Sequence, residues 1–232
     1  MHTWATGASI EDVPGPRLDT YASLASPKAV VLFLHGGQQH SEEPVLDRHA
    51  SWWRIAAMAR SLRRFAKRND LEVELLQYRV RGWNAPDDPS PVRDARWALA
   101  ELSSRHVGLP VILVGHSMGG RTACRVADDP HVLGVVALAP WLPEGEPHGS
   151  LRGRRLHVLH GTSDRWTSAQ LSHAFVERAR PIAAAATWRS LPGAGHFMLR
   201  RRSTWRRFVE ESVLEILDSA ASQEGTSNKG SV

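Results

Sequence analysis

The run Gly115-His116-Ser117-Met118-Gly119, followed by Gly120, lies between an apolar, β-branched stretch and a helix-forming one. A serine with glycine two residues away on either side suits a turn too tight for bulky neighbours. Such a turn holds the serine backbone in a strained conformation, so the hydroxyl projects from the carboxyl end of the strand. The helix behind it offers free N–H groups to negative charge developing on a substrate oxygen. A serine hydroxyl is a poor nucleophile near neutral pH and needs a base. Asp164, in Leu159-His160-Gly161-Thr162-Ser163-Asp164, and His196, in Gly193-Ala194-Gly195-His196, are the candidates for that base and its partner. An aspartate after a strand also serves as a plain turn former, and Glu144 and Glu146 stand in reserve as acids.

Side chains this far apart in the chain meet only if the fold gathers them. Ala29–Leu34 is a continuous apolar run, which reads as a strand buried on both faces. Further strands are expected at 71–78, 111–114, 132–139, 156–160 and 187–191. Helical spacing of apolar residues marks 51–67, 90–106, 117–127, 168–180 and 203–218. Ser90-Pro91 gives the second of the strand-to-strand connections a recognisable helix start. Strands alternating with helices predict a mostly parallel sheet with helices on both faces. In such a sheet the loops carrying Ser117, Asp164 and His196 all leave from the carboxyl edge. The expected organisation is one α/β domain over residues 1–218. Residues 1–28 are irregular or form edge strands, and 219–232 form a disordered tail.

Taken together, GHSMGG, HGTSD, GAGH and HGG resemble the α/β-hydrolase fold superfamily, over about residues 29–218. The resemblance implies Ser117 as nucleophile, His196 as general base and then acid, and Asp164 as the group orienting the imidazole. His35-Gly36-Gly37 resembles the family's oxyanion loop, which makes the N–H groups of Gly37 and Met118 the expected oxyanion donors, with Gln38 as a substitute for Gly37. Many members carry a helical lid after the strand at 132–139. Here residues 140–154 hold Pro143, Gly145, Pro147, Gly149 and Gly153, so no large cap fits and an open, shallow site is expected. Trp141, Arg165 and Trp166 lie in loops at the same edge, and the two tryptophans are candidate substrate contacts. Arg81-Gly82-Trp83-Asn84 resembles a loop seen after the second parallel strand in this superfamily, which leaves two readings, a border of the site or a plain surface turn.

Composition removes other classes. The 232 residues carry 29 basic and 24 acidic side chains, a formal charge of +5. The basic residues are spread and interleaved with acids, which argues against a nucleic-acid partner. No apolar run approaches the roughly 18 residues that suggest a membrane span, and no secretory signal is seen at the amino terminus. The single cysteine, Cys124, excludes an internal disulfide and reads as a small core residue. His35, His40, Asp47 and His49 fit no standard zinc spacing, so no metal and no cofactor are expected. The expected protein is a cytoplasmic, monomeric serine hydrolase that cleaves carboxylic esters of modest size through an acyl-enzyme. Its partner is a small-molecule acyl substrate. A thioesterase, a peptidase or a cofactor-free perhydrolase would use the same three residues. A non-catalytic binding protein on the hydrolase fold is the alternative of another class.

Overall fold

Thirteen regular elements follow one another in the computed structural model, which describes residues 14–227, with side chains to residue 222. They are β1 (Arg17–Ala22), β2 (Ala29–Leu34), α1 (Ala50–Ser61), α2 (Arg63–Arg68), β3 (Leu71–Gln77), α3 (Ser90–Arg105) and β4 (Val111–His116). Then come α4 (Met118–Arg125), β5 (Val132–Leu138), β6 (Arg155–Gly161), α5 (Ala169–Ala179), β7 (Ala185–Leu191) and α6 (Arg202–Ser227). Every residue of β2, β3 and β4 is buried. A strand with no solvent face must be covered on both sides, and parallel pairing with helical crossovers supplies that cover.

The sheet has seven strands in the order β1-β3-β2-β4-β5-β6-β7. Only β1, at one edge, runs antiparallel. From β2 the chain moves first toward β3 and then back past β2 to β4. Right-handed crossovers in opposite directions put α1 and α2 on one face and α3 on the other. The helix α4 packs on β4 and β5, and α6 crosses the same strands together with β6. The reversal between β2 and β4 opens a crevice at their carboxyl ends, the usual place for a ligand in an open α/β sheet. The ends of β2 and β4, at Leu34 and Gly115, are paired neighbours there.

Three local expectations need correction or refinement. The single helix expected at 51–67 breaks at Leu62, whose N–H turns back to the Ala59 carbonyl at 3.1 Å. Leu62 is itself buried, and the break lays α2 against β3 and β1. The tail expected from residue 219 is helical through Ser227 instead. Ala220 and Ala221 are strong helix formers, and no proline interrupts them. Residues 228–232 lie outside the described residues, as does the part of the amino-terminal expectation that falls on 1–13. Within 14–28 the one regular element is the edge strand β1. The segment after β5 carries a single 3-10 turn, Gly149–Leu151, and no cap. No helix among the described residues is long and apolar enough to cross a membrane.

Two buried histidines fasten the carboxyl edge. At the end of β2, His35 donates from Nδ1 to the Gly36 carbonyl (2.7 Å) and accepts the Tyr78 N–H at Nε2 (3.3 Å). That pattern fixes the neutral tautomer, and burial lowers its pKa to about 4. At the end of β4, His116 donates from Nε2 to the His196 carbonyl at 2.8 Å. Burial, and next the neighbouring His196, lowers its pKa to about 3. Both groups bind protons more readily in the unfolded chain than in the folded one. Their stabilising contribution is therefore complete above about pH 6.5 and drains away as the pH falls toward their folded values.

Urea unfolding followed between pH 6.5 and 5 should show stability falling with pH by up to about 1.4 kcal/mol per pH unit for each of the two histidines. The slope should shrink in His35→Gln and in His116→Gln, and a slope that neither substitution changes would contradict the account. A second prediction concerns the turn after β4. A Cβ at Gly119 would lie 2.1 Å from the Leu34 carbonyl oxygen. Gly119→Ala should cost about 3 kcal/mol or more, whereas Gly149→Ala, where a Cβ meets nothing, should stay within about 0.5 kcal/mol. Chemical denaturation of the two variants separates these outcomes.

Candidate active site

Ser117 sits at φ 56°, ψ −118°, a left-handed conformation that an L side chain rarely adopts. The turn is held from both ends. The Ser117 N–H donates to the Leu138 carbonyl at 3.1 Å, and the Ser117 carbonyl accepts the Trp141 N–H at 3.0 Å. A Cβ at Gly115 would fall 2.2 Å from the Gly119 carbonyl oxygen, which is why the flanking positions are glycines. The serine hydroxyl meets His196, on the loop after β7. Ser117 Oγ lies 3.0 Å from His196 Nε2. The other ring nitrogen, Nδ1, lies 2.8 Å from Asp164 Oδ2, on the loop after β6. A carboxylate can only accept, so Nδ1 carries the proton and Nε2 is free to accept from the serine.

Asp164 is enclosed by donors. Its Oδ1 accepts the N–H groups of Trp166 (2.8 Å) and Thr167 (2.9 Å), a turn of the kind aspartate makes with its own following backbone. Its Oδ2 also lies 3.0 Å from the Thr167 hydroxyl and 3.3 Å from His160 Nε2. Burial alone would raise the carboxyl. The hydrogen bonds from His160, His196, Thr167 and Trp166 outweigh it and hold Asp164 well below the usual carboxylate range. His160 is in turn anchored at Nδ1, 2.8 Å from Ser172 Oγ of α5. Sequence reasoning missed Thr167 and His160 as neighbours of this carboxylate. The spacing Asp164-x-x-Thr167 was the available signal for the first.

The backbone around the serine is poor in acceptors. The N–H groups of Gly37 and Met118 make no hydrogen bond among the described residues. The N–H of Gln38 is spent on the Arg81 carbonyl at 2.8 Å. A Cβ at Gly37 would lie 2.4 Å from that same carbonyl and closer still to the Met118 side chain, so only glycine fits.

The cleft over these groups has a volume of about 620 Å³. Without a lid, its walls come from α1 and from the loops after β2, β3, β5, β6 and β7. Ser117 and His196 are only 9% and 7% exposed. Trp166 stands on the rim, 72% exposed, with its ring stacked 6.4 Å from that of His196. Trp141 also lines the cleft, and it packs edge-on against Trp83 with the Arg121 guanidinium 4.5 Å from its ring. From the loop Arg81-Gly82-Trp83-Asn84, Arg81 lines the cleft and pairs with Glu43. The reserve acids are elsewhere: Glu146 is buried against Arg121 (2.6 Å) and Arg125 (3.2 Å), and Glu144 is exposed. Cys124 is buried, which pushes its thiol pKa up.

No curated protein matches this sequence. Solved structures do. An α/β serine hydrolase without lid from Xanthomonas campestris is 17% identical, with a TM-score of 0.64 over 86% of this chain and 88% of its own. Est1E from Butyrivibrio proteoclasticus, solved with ferulic acid, is 16% identical, with a TM-score of 0.63 over 88% and 95%. A monoacylglycerol lipase from Paleococcus ferrophilus is 15% identical, with a TM-score of 0.62 over 88% and 100%. At these identities the likeness is one of fold. A sequence profile matches residues 31–159, more than half of the chain. The chain belongs to the alpha/beta hydrolase family.

Proposed function

We propose that this hydrolase is a serine esterase that cleaves carboxylic esters of modest size through an acyl-enzyme. The observation that carries the reading is the unbroken path from Ser117 Oγ through His196 to Asp164, at 3.0 and 2.8 Å. His196 Nε2 takes the Ser117 proton as the hydroxyl oxygen attacks the ester carbonyl. Asp164, ionised and enclosed, stabilises the imidazolium that forms. The free N–H groups of Gly37 and Met118 receive the oxyanion. His196 then returns the proton to the leaving alcohol, and in the second half activates the water that releases the acid. Trp141 and Trp166 would bound the substrate on either side of the scissile bond. The esterase and lipase among the structural neighbours fit this reaction class without naming its substrate.

Ester turnover by the purified protein should fall by roughly 10³-fold or more in kcat in Ser117→Ala, with KM changing little. Asp164→Asn should lose several orders of magnitude too, because it removes the acceptor that sets the imidazole tautomer. Matched p-nitrophenyl esters, acyl-thioesters and peptide amides decide among the reactions. Esters turned over fastest in a Ser117-dependent way is the expected result. A thioester or peptide preference would replace the ester reading, and no Ser117-dependent turnover would remove it.

The depressed Asp164 carboxyl gives a further expectation. Its folded pKa lies below its unfolded one, so its contribution to stability is present above about pH 4 and lost as the pH falls further. The stability gap between wild type and Asp164→Asn should be widest near neutrality and narrow progressively below about pH 4. Denaturation at pH 7 and at a series of pH values from 4 down to about 2.5 measures it, and a gap independent of pH would contradict the ionised, donor-bound carboxylate.

A further inference from the structure

Arg54, on α1, stands where two cavities meet. It lines the catalytic cleft together with Ser117 and His196. It also lines a second cavity of about 350 Å³ between α1 and the start of α6. Phe197 is the other residue common to both, and the Arg54 guanidinium lies 4.6 Å from its ring centroid. Most of the second cavity is apolar, walled by Trp53, Ala57, Met58, Met198 and Leu199. Trp53 and Leu199 are 55% and 58% exposed, so large apolar side chains face solvent at its mouth.

The charges around this double cavity are one-sided. Arg54, Arg81, Arg202 and Arg206 line it, and no aspartate or glutamate does. Arg81 is paired with Glu43, and Arg206 with Glu210 at 3.5 Å. The Arg54 guanidinium has neither a carboxylate partner nor a hydrogen bond among the described residues. Stacking on Phe197 satisfies the face of the guanidinium but not the five N–H donors around its edge. Partial burial makes that bare charge costly, lowering the guanidinium's hold on its proton. Arg54 is also among the charges felt by His116 beneath the cleft, after burial and His196. A planar cation held half out of water, with its donors unfilled in the cleft that holds Ser117, matches an anionic oxygen group arriving with the substrate.

We propose that Arg54 recognises a remote carboxylate or phosphate group on the substrate, and that the chain joining this group to the scissile ester lies along Phe197 and the neighbouring apolar wall. The natural substrates are then anionic esters: half-esters of dicarboxylic acids, or esters carrying a phosphate. This deepens the ester-hydrolase reading and rests on it. Arg54 would act in binding and in the choice of substrate, not in the proton transfers.

The test is a set of p-nitrophenyl and alkyl esters matched in length, three to eight carbons between the ester and the far end. Each is made with a carboxylate, a phosphonate or a neutral dimethylamide at that end, on the acyl side or on the alcohol side. In the wild type, at least one anionic series should exceed its neutral partner by about tenfold or more in kcat/KM, the size of a charge-assisted hydrogen-bonded contact. In Arg54→Gln that ratio should collapse toward one. Using the ratio keeps the result readable if the variant is partly unfolded. The carboxylate and phosphonate arms identify the anion. Ser117-dependent turnover with no anionic preference, or a preference that Arg54→Gln retains, overturns this proposal alone. Absence of Ser117-dependent turnover of any ester overturns the esterase reading and this one with it.

Discussion

The close approach of three backbones at the carboxyl edge governs the rest of the molecule. Gly119, in the first turn of α4, sits so near the end of β2 that a methyl group there would lie 2.1 Å from the Leu34 carbonyl oxygen. Gly115, at the end of β4, packs equally near Gly119. These contacts press the strand exit at Gly36-Gly37 against the turn that carries Ser117. They also force Ser117 into its left-handed conformation, and the bonds to Leu138 and Trp141 hold it there. Strain of this kind persists only where the surroundings over-determine it. Its product is a serine hydroxyl with two unoccupied backbone N–H groups beside it.

Electrostatics divide along the depth of the site. Beneath it the histidines are neutral: His35 closes β2, and His116 ties the end of β4 to the loop of His196. Behind it a single carboxylate, Asp164, is enclosed by donors and stays ionised. A buried negative charge so well supplied with hydrogen bonds can orient an imidazole and stabilise its charged form without being lost to protonation. At the mouth the lining side chains are arginines and aromatic rings, with Arg81 and Arg206 paired to Glu43 and Glu210 and the Arg54 guanidinium left unpaired. The proposed proton path thus lies in the neutral and negative interior, and the substrate selection proposed for Arg54 lies at the rim.

Much of this was legible in the sequence, and the reasons are specific. The central strands announce themselves because parallel strands buried on both faces are unbroken apolar runs, as at Ala29–Leu34. Ser117, Asp164 and His196 stand out because each occupies a short motif at a strand exit, and the alternation of elements sends all such exits to one edge. The break at Leu62 was not legible, since no glycine or proline marks it and only packing on β3 and β1 explains it. The end of α6 was misplaced because serines and alanines were read as a tail, while the helix continues on alanine propensity. His160 and Thr167 were missed as partners of Asp164, and Arg54 as a residue lining the same cleft as Ser117, because these relations exist only in space. The missing lid was readable, but the lining of the cleft was not, for it comes from seven separated segments.

The central claim is that Ser117 is the atom that becomes acylated, driven by His196. Mass spectrometry of the intact protein treated with a fluorophosphonate, followed by peptide mapping, tests this most directly. The account predicts one adduct per chain, on Ser117, formed quickly in the wild type and very slowly in His196→Gln. Labelling at any other residue, or labelling that survives unchanged in Ser117→Ala, would contradict it.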